Sequence, residues 1–145
     1  MLYLCGMNLI PHIFGVHTPT FILDSDTITK IVELTDEWCQ KNLGVNDELG
    51  ELTIYITNQS MWTKSCYGGY DVNSNSIYIY QNRCDNIKWI IKSILHEYTH
   101  YLQDLEQYDS LLEKYGYGNH PHEVEANNIM EDYYLTVWNN IKNKI

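Results

Sequence analysis

The sequence predicts a single α+β domain in which an N-terminal helix packs on a three-stranded β-sheet and two long helices follow. Apolar residues recur at helical spacing in three segments, near 24–42, near 86–106, and from 121 almost to the last residue. Between the first two lie short segments rich in β-branched and aromatic residues, separated by Gly, Asn and Ser. The 145 residues match the length of one domain with its own core, so we take 1–145 as one domain.

Residues 1–23 have the weakest periodicity of apolar residues in the chain, so their secondary structure is the hardest to predict. Pro11, Gly15 and Pro19 interrupt this stretch, so we expect an irregular N-terminal extension with one short strand near 20–23. The sequence leaves open whether this extension covers a cleft as a latency segment.

The first helix is predicted to follow a group of capping residues, Asp24, Ser25, Asp26 and Thr27, and to run to about residue 42. Its apolar positions suit a helix that buries one side on a sheet, and Gly44 gives it a stop.

Three strands are predicted next, at 52–57, at 61–67 (weaker) and at 76–81. The pair Gly68-Gly69 and the run 73–75 are interpreted as turns. In the third strand, alternation puts Ile77 and Ile79 on one face and Tyr78 and Tyr80 on the other.

The motif helix is predicted over about 86–106, capped by Asp85 or Asn86, and a short helical piece over 109–115 follows it. Pro121 fits the first position of the last helix, with His120 as a poor cap. The motif helix has one apolar stripe, so His96, Glu97 and His100 are expected beside it, at a rim where a cleft could lie. The stripe comprises residues 87, 91, 94, 98, 102 and 105.

His96-Glu97-x-x-His100 is the segment with the clearest chemistry. Residues four apart share one face of a helix, so both imidazoles can bind one metal ion. Glu97 lies beside that ion, where it could take a proton from a zinc-activated water. The same pattern also arises by chance in helices that bind no metal. Because both imidazoles share one face, we favour a metal site, and we expect it to hold one Zn²⁺ ion.

A catalytic zinc site usually has three protein ligands. The candidates for the third lie in 120–127, at the head of the last helix, which can fold back antiparallel on the motif helix. We favour Glu123, because the small Ala126 on the same face lets the two helices approach. Glu125 points about 200° away around the helix and is interpreted as a surface carboxylate. His120 and His122 remain alternatives.

His96-Glu97-x-x-His100 followed by Glu123-x-x-Ala126 resembles the gluzincin zinc metallopeptidases, whose third ligand is a glutamate on a second helix. The order of elements is similar to the minimal members, the minigluzincins. The Glu-x-x-Ala-Asn spelling also resembles the peptidase domain of phage and bacterial repressor-cleaving regulators. In motif the resemblance covers only these two segments, and residues 1–23 have no counterpart in it.

The resemblance implies a zincin-like fold and a zinc-dependent endopeptidase with Glu97 as general base. It also implies that one strand pairs with extended substrate, for which 76–81 (Ile77, Tyr78, Ile79 and Tyr80) is the natural match. An oxyanion stabiliser is expected from the loop before the last helix. Its candidates are Tyr115, Tyr117, His120 and His122. The alternative is a catalytically silent, zinc-containing protein-binding or regulatory module.

The charge and the cysteines restrict partners and location. A net charge of −10 argues against nucleic acid and against an anionic membrane surface as partners. The resemblance to peptidases implies a protein or peptide substrate as the partner. No segment has the pattern of an export signal or a membrane span, so we expect a cytoplasmic protein. Its scattered cysteines are then reduced, with a Cys66–Cys84 bridge as the alternative. Substrate preference and oligomeric state are not encoded in any readable pattern.

Overall fold

The computed structural model of the protein describes residues 3–5, 24–57, 67–81 and 86–145. The predicted α+β class is confirmed. Within these residues, no helix is both long and apolar enough to cross a membrane. In chain order the elements are β1 (Tyr3–Cys5), α1 (Ser25–Asn42), β2 (Thr53–Thr57), β3 (Gly68–Asp71), β4 (Ser76–Tyr80), α2 (Ile87–Leu102), α3 (Tyr108–Tyr115) and α4 (Pro121–Ile141).

Helix α1 begins and ends where its capping residues predict. The Asp24 carboxylate accepts a hydrogen bond from the Thr27 N–H at 2.7 Å and so satisfies one of the free amides of the first turn. Beyond its last turn, Gly44 has a φ of +94°, a conformation that glycine adopts without strain. The buried face of α1 ends at Cys39, a free thiol that packs in the core.

The four strands form one mixed sheet in the order β1-β3-β4-β2. Strand β4 runs parallel to β2 and antiparallel to β3, and β1 pairs antiparallel with the other edge of β3. The first and third predicted strands are confirmed as β2 and β4, and β1 adds a strand within the extension expected to be irregular. The strand predicted at 20–23, residues 61–66 of the second predicted strand and the Cys66–Cys84 pair lie outside the described residues.

Gly68 and Gly69, which were predicted to form a turn, are the first two residues of strand β3, so that prediction is wrong. A Cβ added at Gly68 would stand 2.8 Å from the carbonyl oxygen of Tyr78 and 3.7 Å from Cγ of Glu97. Glycine at this position therefore allows β3 to lie close to β4 and to the motif helix, and does not mark a turn. The chain reverses direction between β3 and β4 at residues 72–75, where Asn75 adopts a φ of +49°.

Replacing Gly68 with alanine is expected to destabilise the protein, because the new methyl group meets backbone that cannot move aside freely. The expected loss in the free energy of unfolding is about 1–3 kcal/mol, the usual range for overpacking. Gly118→Ala is the matched control, since no atom lies within 4 Å of the Cβ it would add. Chemical denaturation of both variants measures the difference, and equal stabilities would contradict the close approach.

Helix α2 lies at the centre of the molecule. It packs on the sheet, on α1 and on α4. Every residue from Ile90 to Tyr101 is consequently buried. The prediction that His96, Glu97 and His100 lie at an accessible rim is therefore wrong, because the second face of α2 is covered as completely as its apolar stripe.

Helix α4 begins with Pro121 at its first position, as predicted. The expectation that His120 caps it poorly is wrong, since the Nδ1 atom of His120 accepts a hydrogen bond from the His122 N–H at 3.1 Å. Helices α2 and α4 are antiparallel, because Lys92 pairs with Glu131 and His96 contacts Glu123. This arrangement brings the first turn of α4 beside the motif.

Candidate metal centre

The motif helix positions two imidazoles on one face. Asn86 caps α2 by accepting a hydrogen bond from the Trp89 N–H at 3.0 Å, which confirms the second of the two predicted caps. One helical turn separates His96 from His100, and their Nε2 atoms lie 3.2 Å apart. Both rings have no exposed surface, so packing and not solvent determines their orientation.

Helix α4 supplies a carboxylate to the same point. Glu123 is in its first turn, and Ala126, buried without any exposed surface, lies three residues along. The Oε1 atom of Glu123 lies 3.1 Å from His96 Nε2 and 3.2 Å from His100 Nε2. The structure therefore brings together the three residues that the sequence favoured as metal ligands.

The spacing of these atoms fits a tetrahedral metal ion. Zinc binds imidazole nitrogen and carboxylate oxygen at about 2.0–2.2 Å, so two ligand atoms of a tetrahedral site lie roughly 3.3 Å apart. The three separations here are 3.1, 3.2 and 3.2 Å. Two imidazole nitrogens and one carboxylate oxygen also form a donor set that zinc prefers. The group can hold one metal ion.

Burial and charge set the protonation states that a metal requires. Burial lowers the pKa of His96, which favours the neutral imidazole. For Glu123 burial raises the pKa, but the neighbouring imidazoles of His100 and His96 outweigh this effect and hold the pKa well below its usual range. Neutral imidazole and ionised carboxylate are the forms that bind a metal.

Glu97 is buried beside this group without a hydrogen-bond partner for either carboxylate oxygen among the described residues. Burial raises its pKa well above the ordinary value, and the nearby charge of Glu123 adds to the effect. A buried carboxyl group without a partner is costly, and such groups often have a chemical role. The cost is consistent with a group that accepts a proton from a bound molecule.

The other candidates for third ligand lie elsewhere. Glu125 is on the surface, as predicted, where it accepts a hydrogen bond from Gln103 Nε2 at 2.8 Å. His120 uses Nδ1 as a helix cap, and its Nε2 donates to the Tyr108 carbonyl oxygen at 2.9 Å, so neither nitrogen is free. His122 is partly buried and does not belong to the converging group.

The tyrosines near the site differ in position. Tyr117 has a partly exposed ring, but burial and the charge of Glu123 raise the pKa of its hydroxyl, so this group lies near the carboxylate. Tyr115 is exposed at the end of α3, with the Lys114 ammonium over its ring. Of the two tyrosines expected as oxyanion stabilisers, Tyr117 is therefore the one whose hydroxyl lies near Glu123.

Sequence reasoning did not identify Tyr108 and Gln103. The buried Tyr108 hydroxyl donates a hydrogen bond to Oε2 of Glu123 at 3.0 Å and so fixes the carboxylate beside the imidazoles, where Oε2 also lies 3.0 Å from His100 Nε2. The Oε1 atom of Gln103 lies 2.7 Å from Nδ1 of His100. The i+3 spacing from His100 is the one signal that pointed to Gln103, since residues at this spacing are neighbours on a helix surface. No comparable local signal marked Tyr108.

The assignment of β4 as the strand that pairs with substrate needs correction. Ile77, Tyr78, Ile79 and Tyr80 pair with β3 on one side and with β2 on the other, so neither edge of β4 is open to another chain. Ile77 and Ile79 are buried in the core, and the ring of Tyr78 stacks on that of Tyr55 at 5.3 Å, the cross-strand packing expected of a tyrosine in a sheet.

No family model matches the chain, and no curated protein or solved structure matches it. The chain itself presents a buried group of His96, His100 and Glu123, held by two helices that follow a small mixed sheet. This arrangement is consistent with a zincin, and it identifies a possible site for one metal ion.

Proposed function

We propose that the protein is a zinc-dependent endopeptidase. The carboxyl group of Glu97 carries the proposal, because it is fully buried, lacks a hydrogen-bond partner among the described residues, and follows the first ligand by one position. A purely structural metal site needs no such group, since four ligands close it. The resemblance to gluzincins supports the same reading through His96, His100 and Glu123.

The reaction is the addition of water across a peptide bond, which gives a carboxylic acid and an amine. His96, His100 and Glu123 would hold one zinc ion, which, when bound, lowers the pKa of water and polarises the scissile carbonyl group. Glu97 takes one proton from the attacking water and passes it to the nitrogen of the leaving amine as the C–N bond breaks. Burial raises the pKa of Glu97, which makes it a stronger proton acceptor than an exposed carboxylate.

Tyrosine hydroxyls near Glu123 are suited to stabilise the negative charge that develops on the carbonyl oxygen. Tyr117 is the better candidate, because its ring is partly exposed and could contact a substrate. The hydroxyl of Tyr108 already donates to Glu123, so its role is to hold the ligand. Hydrogen-bond donors aimed at a developing oxyanion contribute strongly in sites that exclude water.

Strand β3 is the better candidate for pairing with an extended substrate, since Gly68 lies against Glu97. Its outer edge is paired with β1, where Cys5 stands opposite Gly69 and Tyr3 opposite Asp71. The ligands and Glu97 are also at most 1% exposed, so part of the covering chain has to move before a substrate enters. We propose that β1 occupies the place of substrate and that residues 1–23 act as a latency segment for this reason.

Deleting residues 1–23 is therefore expected to raise the rate of cleavage. A tethered segment competes at an effective concentration in the millimolar range, so its loss should raise the rate at low substrate by about tenfold or more. Leu4→Pro in the full chain should act in the same direction, because proline disrupts strand pairing at β1. Rates are compared per bound zinc ion, after circular dichroism has shown equal helix content. An unchanged rate in both variants would exclude a latency role.

Elemental analysis combined with a digestion assay tests the proposed function. The purified protein is expected to contain about one zinc ion per chain and to cleave unfolded casein, with activity lost to a chelator and restored by added zinc. Zinc without cleavage would favour the silent binding or regulatory module. Absence of both zinc and cleavage would refute the metal site as well as the activity.

A further inference from the structure

The side chain of Gln103 connects the two helices that carry the metal ligands. Gln103 ends α2, and its backbone N–H donates to the carbonyl oxygens of Thr99 and His100. Its amide oxygen lies 2.7 Å from Nδ1 of His100. Its amide nitrogen donates to the His122 carbonyl oxygen at 2.9 Å and to a Glu125 carboxylate oxygen at 2.8 Å. Both hydrogens of the amide group are thus engaged in hydrogen bonds.

These contacts fix the orientation of the amide group. The His122 carbonyl and the Glu125 carboxylate can only accept hydrogen bonds, so the NH₂ group of Gln103 has to face them. The amide oxygen then faces His100, and an oxygen can only accept. Nδ1 of His100 therefore carries a hydrogen.

The protonation of Nδ1 decides what the other side of the ring can do. A neutral imidazole has one N–H and one nitrogen with a free lone pair. With the hydrogen on Nδ1, the lone pair of His100 lies on Nε2, the atom 3.2 Å from both His96 Nε2 and Glu123 Oε1. The other tautomer would direct a hydrogen into the site and exclude a metal ion.

We propose that Gln103 is the positioning residue of the metal centre, which fixes His100 as its Nδ1–H tautomer and ties the end of α2 to the first turn of α4. Its two acceptors on α4, His122 and Glu125, lie on either side of Glu123 in sequence, so the same amide group holds the segment that supplies the third ligand. The inference rests on the metal site of the proposed function and is independent of peptide hydrolysis.

Zinc affinity tests the proposal in the full-length protein. Gln103→Met keeps the length of the side chain and removes all three side-chain hydrogen bonds. Its dissociation constant for zinc, measured by competition with a chromophoric chelator, is expected to rise about 10- to 100-fold, the usual effect of losing a partner of a ligating histidine. Gln40→Met is the matched control, since it removes the hydrogen bond to Asp36 on the exposed face of α1 and should leave the affinity for zinc unchanged.

Nitrogen chemical shifts of the histidine rings provide a second readout that needs no metal. In the metal-free wild type, Nδ1 of His100 is expected to carry a hydrogen, because the Gln103 amide oxygen that faces it can only accept. In Gln103→Met, the ring of His100 should become a mixture of the Nδ1–H and Nε2–H tautomers. An Nε2–H tautomer in the wild type would overturn the proposal, even if Gln103→Met fails to fold. Wild-type zinc affinity in a folded Gln103→Met would overturn it too. Zinc binding without casein cleavage would instead refute only the proposed function.

Discussion

Replacing Glu97 with glutamine is expected to abolish peptide hydrolysis while the protein keeps its zinc. Glutamine has the size of glutamate but cannot take the proton of the attacking water, so kcat should fall by about 10²- to 10⁴-fold, the usual contribution of a general base. Glu97 is not in the group of converging ligands, which explains why zinc is retained. The experiment measures zinc content by elemental analysis and turnover on casein in the same preparations.

Glu113→Gln is the control for this substitution, because it makes the same chemical change at an exposed position of α3. It should leave turnover unchanged. The fold of Glu97→Gln is expected to persist, since the substitution replaces one buried side chain without hydrogen-bond partners among the described residues by another of the same size. Retained turnover in Glu97→Gln would remove Glu97 from the role of base.

Replacing His100 with alanine is expected to eliminate zinc binding. One of three ligands is lost and a space is left beside Glu123, so affinity should fall by more than the roughly 100-fold that a supporting residue accounts for. Added zinc should raise the melting temperature of the wild type, because it binds only the folded state. The same addition should leave the melting temperature of His100→Ala unchanged.

His122→Ala is the comparison for this variant, since it also removes an imidazole near the head of α4, but one outside the converging group. It should keep its zinc and its zinc-dependent rise in melting temperature. A full metal complement in His100→Ala would refute the assignment of ligands, and loss of zinc in His122→Ala would indicate that this histidine is a ligand.

The elements that the sequence predicted well are those with strong local signals. The cap at Asp24 and the stop at Gly44 gave the bounds of α1, and Pro121 gave the start of α4. Strand β3 was interpreted as a turn because two adjacent glycines usually mark one. The reason for glycine at Gly68 is the neighbouring carbonyl oxygen of Tyr78, ten residues away in the sequence, which no local pattern reveals.

The burial of the site is a second feature that local sequence patterns do not reveal. The stripe on α2 predicted one covered face, and the covering of the second face depends on how α4 and β3 pack on it, which the sequence of α2 does not contain. Local sequence patterns also do not show which strand lies at the edge of the sheet. Strand β4 has neighbours on both sides because β2 and β3 both pair with it, and the alternation of residues within a strand does not distinguish an edge strand from an interior one.

The sequence by itself determined the α+β class, the two imidazoles on one face of α2 and the preference for Glu123 over Glu125, since helical periodicity fixes which side chains of one helix point together. Only the tertiary structure decided that Glu123 reaches both imidazoles, that Tyr108 donates to Glu123 and Gln103 donates to α4, and that Glu97 is buried without a partner among the described residues. These contacts join residues of separate elements, and their distances depend on how helices α2, α3 and α4 pack together.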